Sequence, residues 1–143
     1  MAAYQKPQAF VEYLAEGVFN LASDTLKVFL SNDTFSPSAD AVKADMTEVS
    51  GGNGYTSGGN AVTVTSSSQT SGTYKLVLGD PATWTASGGS IGPFKTAVLY
   101  KVGGTSPANP IIAAWDYGSS ITLAAGESFA VDFDPTTGVL TLA

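Results

Sequence analysis

From Thr25 onward apolar and polar residues alternate with a period of two, and this alternation limits what the chain can fold into. In 25–31, Leu26, Val28 and Leu30 share one face while Lys27 and Ser31 take the other. Successive side chains of an extended chain point to opposite faces, so such a pattern predicts a half-buried strand. It recurs in 61–65, 73–78, 94–101, 111–117, 121–123, 128–133 and 139–142, with weaker traces at 46–49 and 83–86. Turn chemistry stands between these segments: Ser87-Gly88-Gly89-Ser90, Tyr117-Gly118-Ser119, Ala125-Gly126-Glu127 and Asp134-Pro135-Thr136-Thr137-Gly138. Short strands at this spacing predict an all-β fold of the sandwich or jelly-roll kind.

Ahead of the strands, 8–21 has a helical period, with Phe10, Val11, Leu14, Val18 and Phe19 on one stripe and Glu12 and Glu16 on another face. This is the one N-terminal helix the sequence predicts. Gly17 lies inside it at a cost of about 1 kcal/mol relative to Ala, so the helix is expected to depend on docking its stripe. Asp24 is expected to cap or end the helical region. With 143 residues the chain is the size of one domain, 1–143, in which 1–22 is an arm and helix and 25–143 the strands.

Near the C-terminus, 129–133 and 139–142 flank a short Pro/Gly loop and are expected to pair as a terminal hairpin. Phe129, Val131 and Phe133 would face the core, with Asp132 and Asp134 opposite. Ile111, Ala113, Trp115 and Tyr117 alternate and are expected to share one packed face. The segments 32–44, 51–60 and 102–109 read as loops. The glycine-rich 51–60 is expected to be mobile, or ordered only by a neighbouring subunit, because its backbone entropy makes it costly to fix. No period of 20 to 50 residues recurs, which excludes solenoid and propeller repeats.

Charge narrows the partners. The chain has six lysines, no arginine and twelve carboxylates, a formal charge of −6. Nucleic-acid binding draws on clustered cations, and these lysines are scattered, so no nucleic-acid partner is expected. No run approaches the roughly 18 apolar residues of a spanning helix, and acidic lipid would repel the chain, so no membrane partner is expected either. The N-terminal segment is broken by Glu12 and Glu16 and does not read as an export signal; the absence of cysteine fits synthesis in a reducing cytoplasm.

Without His or Cys, the usual nucleophilic triads and most zinc chemistry are excluded. Asp132 and Asp134 lie two apart near a turn, the spacing of one strand face, and are read as solvated; a calcium site would need six or more converging oxygens. Glu12 and Glu16 suit the wet face of a helix. Gly52-Asn53-Gly54 lacks the Lys-Ser/Thr ending and the strand-to-helix setting of a phosphate loop. The sequence therefore predicts no catalytic, cofactor-binding or metal-binding residues, no cofactor, and a protein that is not an enzyme.

Several passages carry a resemblance: Gly54-Tyr55-Thr56-Ser57-Gly58-Gly59-Asn60 with 61–65 and 71–76, Ile91-Gly92-Pro93-Phe94-Lys95-Thr96-Ala97-Val98-Leu99-Tyr100, 115–127, and the opening 10–30 with its Ser23-Asp24-Thr25-Leu26-Lys27-Val28. Together they resemble small virion structural proteins of tailed bacteriophages, over nearly the whole chain. The resemblance implies a β-sandwich virion component, foremost a capsid decoration (cement) protein. Such a protein binds and stabilises the major capsid protein lattice as a homotrimer on the capsid exterior, after synthesis in the host cytoplasm. The alternative it implies is a tail, baseplate or fibre component, structural or receptor-binding. An acidic chain suits the outside of a capsid better than its DNA-filled interior.

Overall fold

In the computed structural model, which describes residues 3–143, the alternating segments form strands in three antiparallel sheets, accompanied by one short α-helix. In chain order the elements are β1 (Ala3–Gln5), α1 (Ala9–Ala15), β2 (Leu26–Ser31), β3 (Asn60–Val62), β4 (Val64–Thr70), β5 (Thr73–Leu78), β6 (Trp84–Thr85), β7 (Ile91–Lys101), β8 (Ile111–Leu123), β9 (Ser128–Phe129) and β10 (Leu140–Leu142). A five-stranded sheet runs β1-β8-β7-β2-β3; facing it are a three-stranded sheet, β10-β5-β4, and the pair β6-β9. The fold is all-β and sandwich-like, as the alternation predicts.

The main core lies on the front of the large sheet. Leu26, Val28, Leu30, Phe94, Leu99 and Ile112 pack there against Leu76 and Leu78 of β5, Leu140 of β10 and Trp84 of β6. The back of the same sheet is buried too. Phe29, Val98, Tyr100, Ile111 and Ala114 meet Phe35 and Met46 from the long connection between β2 and β3. Ser31 is therefore fully buried on the side the alternation assigns to the polar face, and its hydroxyl accepts the Asp33 N–H at 3.0 Å.

Several expectations need correction, each for a reason in the backbone. The helix ends at Ala15, and Gly17 lies beyond it at φ +78°. Val18 N–H donates to the Tyr13 carbonyl at 2.9 Å and Gly17 N–H to the Leu14 carbonyl at 3.3 Å, which closes the last turn in the Schellman manner. Gly17 is the stop signal, and Val11, expected on the apolar stripe, is 53% exposed. Phe19 reaches the core from the following turn, its ring 5.3 Å from that of Phe10. Asp24 does not cap the helix; it accepts from Asn20 N–H at 2.7 Å and pairs with Lys101 at 3.1 Å, fastening the turn to β7.

The terminal hairpin does not form. Only Ser128 and Phe129 of its first half are strand, and they pair with β6, while β10 pairs with β5 in the register Leu140↔Leu76. Gly138 lies against the Leu76 carbonyl and Val139 N–H donates to it at 2.8 Å, so the chain leaving the Pro/Gly loop is captured by β5. The Tyr117-Gly118-Ser119 signal makes no reversal either: β8 runs through it with Gly118 at φ +96°, and the register against β7 slips between Phe94↔Ile121 and Thr96↔Asp116, a bulge. A second slip, between Leu99↔Ala113 and Tyr100↔Ile111, makes Ile112 the extra residue. Ile111 consequently packs on the back of the sheet and Ala113 on the front. The 61–65 segment is split at Thr63, where the chain leaves the large sheet for the small one, and 46–49 contributes only an isolated bridge, Ser31↔Glu48.

Candidate functional site

The outer edge of β2 is covered by β3 only as far as Val28↔Asn60. Beyond it Leu30 would present an unpaired amide and carbonyl, a liability at a sheet edge. The Tyr55 hydroxyl accepts the Leu30 N–H at 3.1 Å, and Val49 N–H donates to the Leu30 carbonyl at 2.9 Å. Glu48 holds this closure together. Its Oε1 accepts from the Tyr55 hydroxyl at 2.8 Å and from Gly58 N–H at 2.6 Å, and its Oε2 pairs with Lys43 at 2.6 Å. The Lys43 ammonium in turn lies 5.0 Å from the centre of the Phe29 ring, a cation over an aromatic face. Tyr100 completes the group by donating to the Gly58 carbonyl at 2.8 Å.

The glycine-rich 51–60 is thus ordered within its own chain, against the expectation of a mobile loop or one that needs a neighbour. Gly59 is at φ +75°, pressed on the Val28 carbonyl, and Gly54 at φ +99°, pressed on that of Thr85. Only glycine gives the backbone that approach. Burial raises the pKa of Tyr55 and of Tyr100 above the ordinary tyrosine value, and the Glu48 carboxylate raises both further.

A cleft of about 570 Å³ opens between the front of β7 and β8 and the 129–139 segment. Trp115 and Tyr4 form one wall, their rings 5.9 Å apart and inclined at 58°. Phe133 lies 5.3 Å from Trp115 and closes the base, and Tyr117, 57% exposed, stands at the mouth. Asp132 and Asp134 are exposed, as expected of solvated residues, and also line this cleft together with Lys95. Asp134 Oδ1 accepts from Thr136 N–H at 2.7 Å and Thr137 N–H at 3.3 Å; the Thr136 amide first, then the Thr137 side chain and amide, hold its carboxyl below the usual range. Asp132 has no hydrogen bond or ion pair among the described residues.

Other sequence candidates are not brought together. Glu12 and Glu16 are exposed on and just after α1. Gly52 bonds reciprocally with Tyr55 at 2.8 and 2.9 Å, and the Asn53 side-chain amide donates to the Ser90 carbonyl at 3.1 Å, so these donors are taken up within the protein. Among the described residues no group of three or more His, Cys, Asp or Glu is placed to hold a metal ion, and no helix is long and apolar enough to cross a membrane. Sequence reasoning missed the cleft because Tyr4, Trp115 and Phe133 are far apart in the chain; Trp115 and Phe133 were legible only as core aromatics. No protein-family model matches the chain, and comparison with curated proteins and with solved structures finds no match either.

Proposed function

We propose that this chain is a structural protein of a tailed-phage virion, without catalytic turnover, that decorates the capsid exterior and clamps neighbouring copies of the major capsid protein, as a homotrimer made in the host cytoplasm. The observation that carries the proposal is the ordering of the long connections. The 32–49 and 51–60 segments leave a β scaffold yet are fixed by buried side chains and by the Glu48 cluster. Segments already held in shape lose little entropy on docking, and repetition over a lattice multiplies a modest contact. The resemblance of 54–60, 91–100 and 115–127 to phage virion proteins supports the same reading.

Purified protein added to capsids stripped of decoration tests it: saturable co-sedimentation at a fixed ratio to the capsid protein is expected, with threefold-arranged density in particle images. Absence of binding, with virion density placing the chain elsewhere, overturns it. The cleft favours a second reading, a tail, baseplate or fibre component that contacts a receptor, and copy number separates the two. Virion gel densitometry would give tens of copies for that reading and hundreds for decoration.

A further inference from the structure

The cleft between the front of β7 and β8 and the 129–139 segment is, we infer, a binding site for neutral saccharides. Its volume, about 570 Å³, falls in the range of small-ligand sites. A sugar ring presents apolar C–H faces and a belt of hydroxyl donors, and the cleft is complementary to both. Trp115 and Tyr4, inclined at 58°, offer two aromatic faces at an angle, and exposed Tyr117 adds a third at the entrance. Aromatic side chains with a polar tip suit a ligand that is apolar on one side and wet on the other. In the same lining Asp132, exposed and without a hydrogen bond among the described residues, can accept hydroxyl hydrogens, while Asp134 is already engaged by Thr136 and Thr137. Charge-assisted bonds of this kind are about twice as strong as neutral ones.

The same residues argue against other ligands. A purely apolar molecule would desolvate the carboxylates without replacing their hydrogen bonds. An anionic sugar or a nucleic acid would meet two carboxylates against one ammonium, that of Lys95, which already donates to the Thr34 hydroxyl at 2.6 Å, on a chain of charge −6. A quaternary ammonium group suits an aromatic cage with a carboxylate, but would fill only a small part of this volume. The inference does not rest on capsid attachment, so the two fail separately.

Titration of the full chain, followed by proton–nitrogen correlation spectra, tests it. The probes are methyl glucoside, methyl galactoside, N-acetylglucosamine, cellotriose and maltotriose, each to tens of millimolar, with sialyllactose, choline and the peptide Lys-Trp-Lys as contrasts. At least one neutral saccharide is expected to shift the Trp115 indole N–H and the amides of 130–138 saturably, leaving the buried Trp84 indole unmoved. Tyr117→Ala and Asp132→Asn change exposed side chains and should keep the fold; each is expected to weaken that binding roughly tenfold. No shift with any neutral saccharide overturns the inference, as does a shift given only by choline, the peptide or sialyllactose, or an affinity that both variants leave unchanged.

Discussion

Tyr55 and Leu30, 25 residues apart, are joined by the Leu30 amide donating to the Tyr55 hydroxyl at 3.1 Å, so that a side chain stands where the next strand of the sheet would be. Tyr55→Phe keeps the buried ring and deletes only the oxygen. Leu30 N–H then loses its acceptor in the core and Glu48 one of its donors, which should cost about 1–3 kcal/mol. Urea unfolding should show a lower midpoint with an unchanged slope. An unchanged midpoint would mean that the edge of β2 is not held this way.

Alkaline pH should release the same cluster. Burial raises Tyr55 and Tyr100 above the ordinary value of 10.0, and the Glu48 carboxylate adds to it. The unfolded chain therefore ionises first as pH rises, and ionisation of the unfolded state drains stability. The two tyrosines' contribution is whole below pH 10 and declines above it, so thermal midpoints should be level from neutrality to about pH 9.5 and fall beyond. Tyr55→Phe should flatten that fall; if it leaves the alkaline slope unaltered, Tyr55 is not its source.

The local pattern carried the strands well where one face packs, as in Thr73–Leu78, whose bounds match the prediction. It misled where a remote segment overrides the local signal. Phe29 looks misplaced in an alternating strand until Phe35 and Met46 cover it from behind, and 139–142 looks like half of a hairpin until Leu76 captures it. Bulges at Ile112 and around Gly118 move side chains between faces, and their register comes from the partner strand. The cleft was illegible for the same reason, since nothing local relates Tyr4 to Phe133 or Asp132.

Two glycines with nearly equal backbone angles should respond differently to alanine. Gly59, at φ +75°, lies on the Val28 carbonyl with no room for a Cβ; Gly88, at φ +78°, has open space around it. Gly88→Ala should therefore cost only the left-handed strain, about 1 kcal/mol. Gly59→Ala adds a collision with the backbone of β2 and should cost more than about 3 kcal/mol, or prevent folding. Denaturant midpoints of the two variants give the comparison, and equal losses would refute the close approach of 51–60 to β2.

Trp84 separates packing from hydrogen bonding. Its side chain is 1% exposed in the main core, stacked at 6.5 Å on Tyr55 and tilted at 6.2 Å from Phe129, yet its indole N–H has no partner among the described residues. A buried donor without an acceptor costs about 1–3 kcal/mol, comparable with what the extra ring of Trp gains by burial over Phe. Trp84→Phe should thus change stability by less than about 1.5 kcal/mol, because the cavity term and the relieved donor oppose each other. Trp84→Ala removes the aromatic packing with the donor and should cost about 3–5 kcal/mol. Calorimetric unfolding of both would decide it: if Phe is as damaging as Ala, the indole N–H has an acceptor, such as a bound water, and the two terms do not oppose each other.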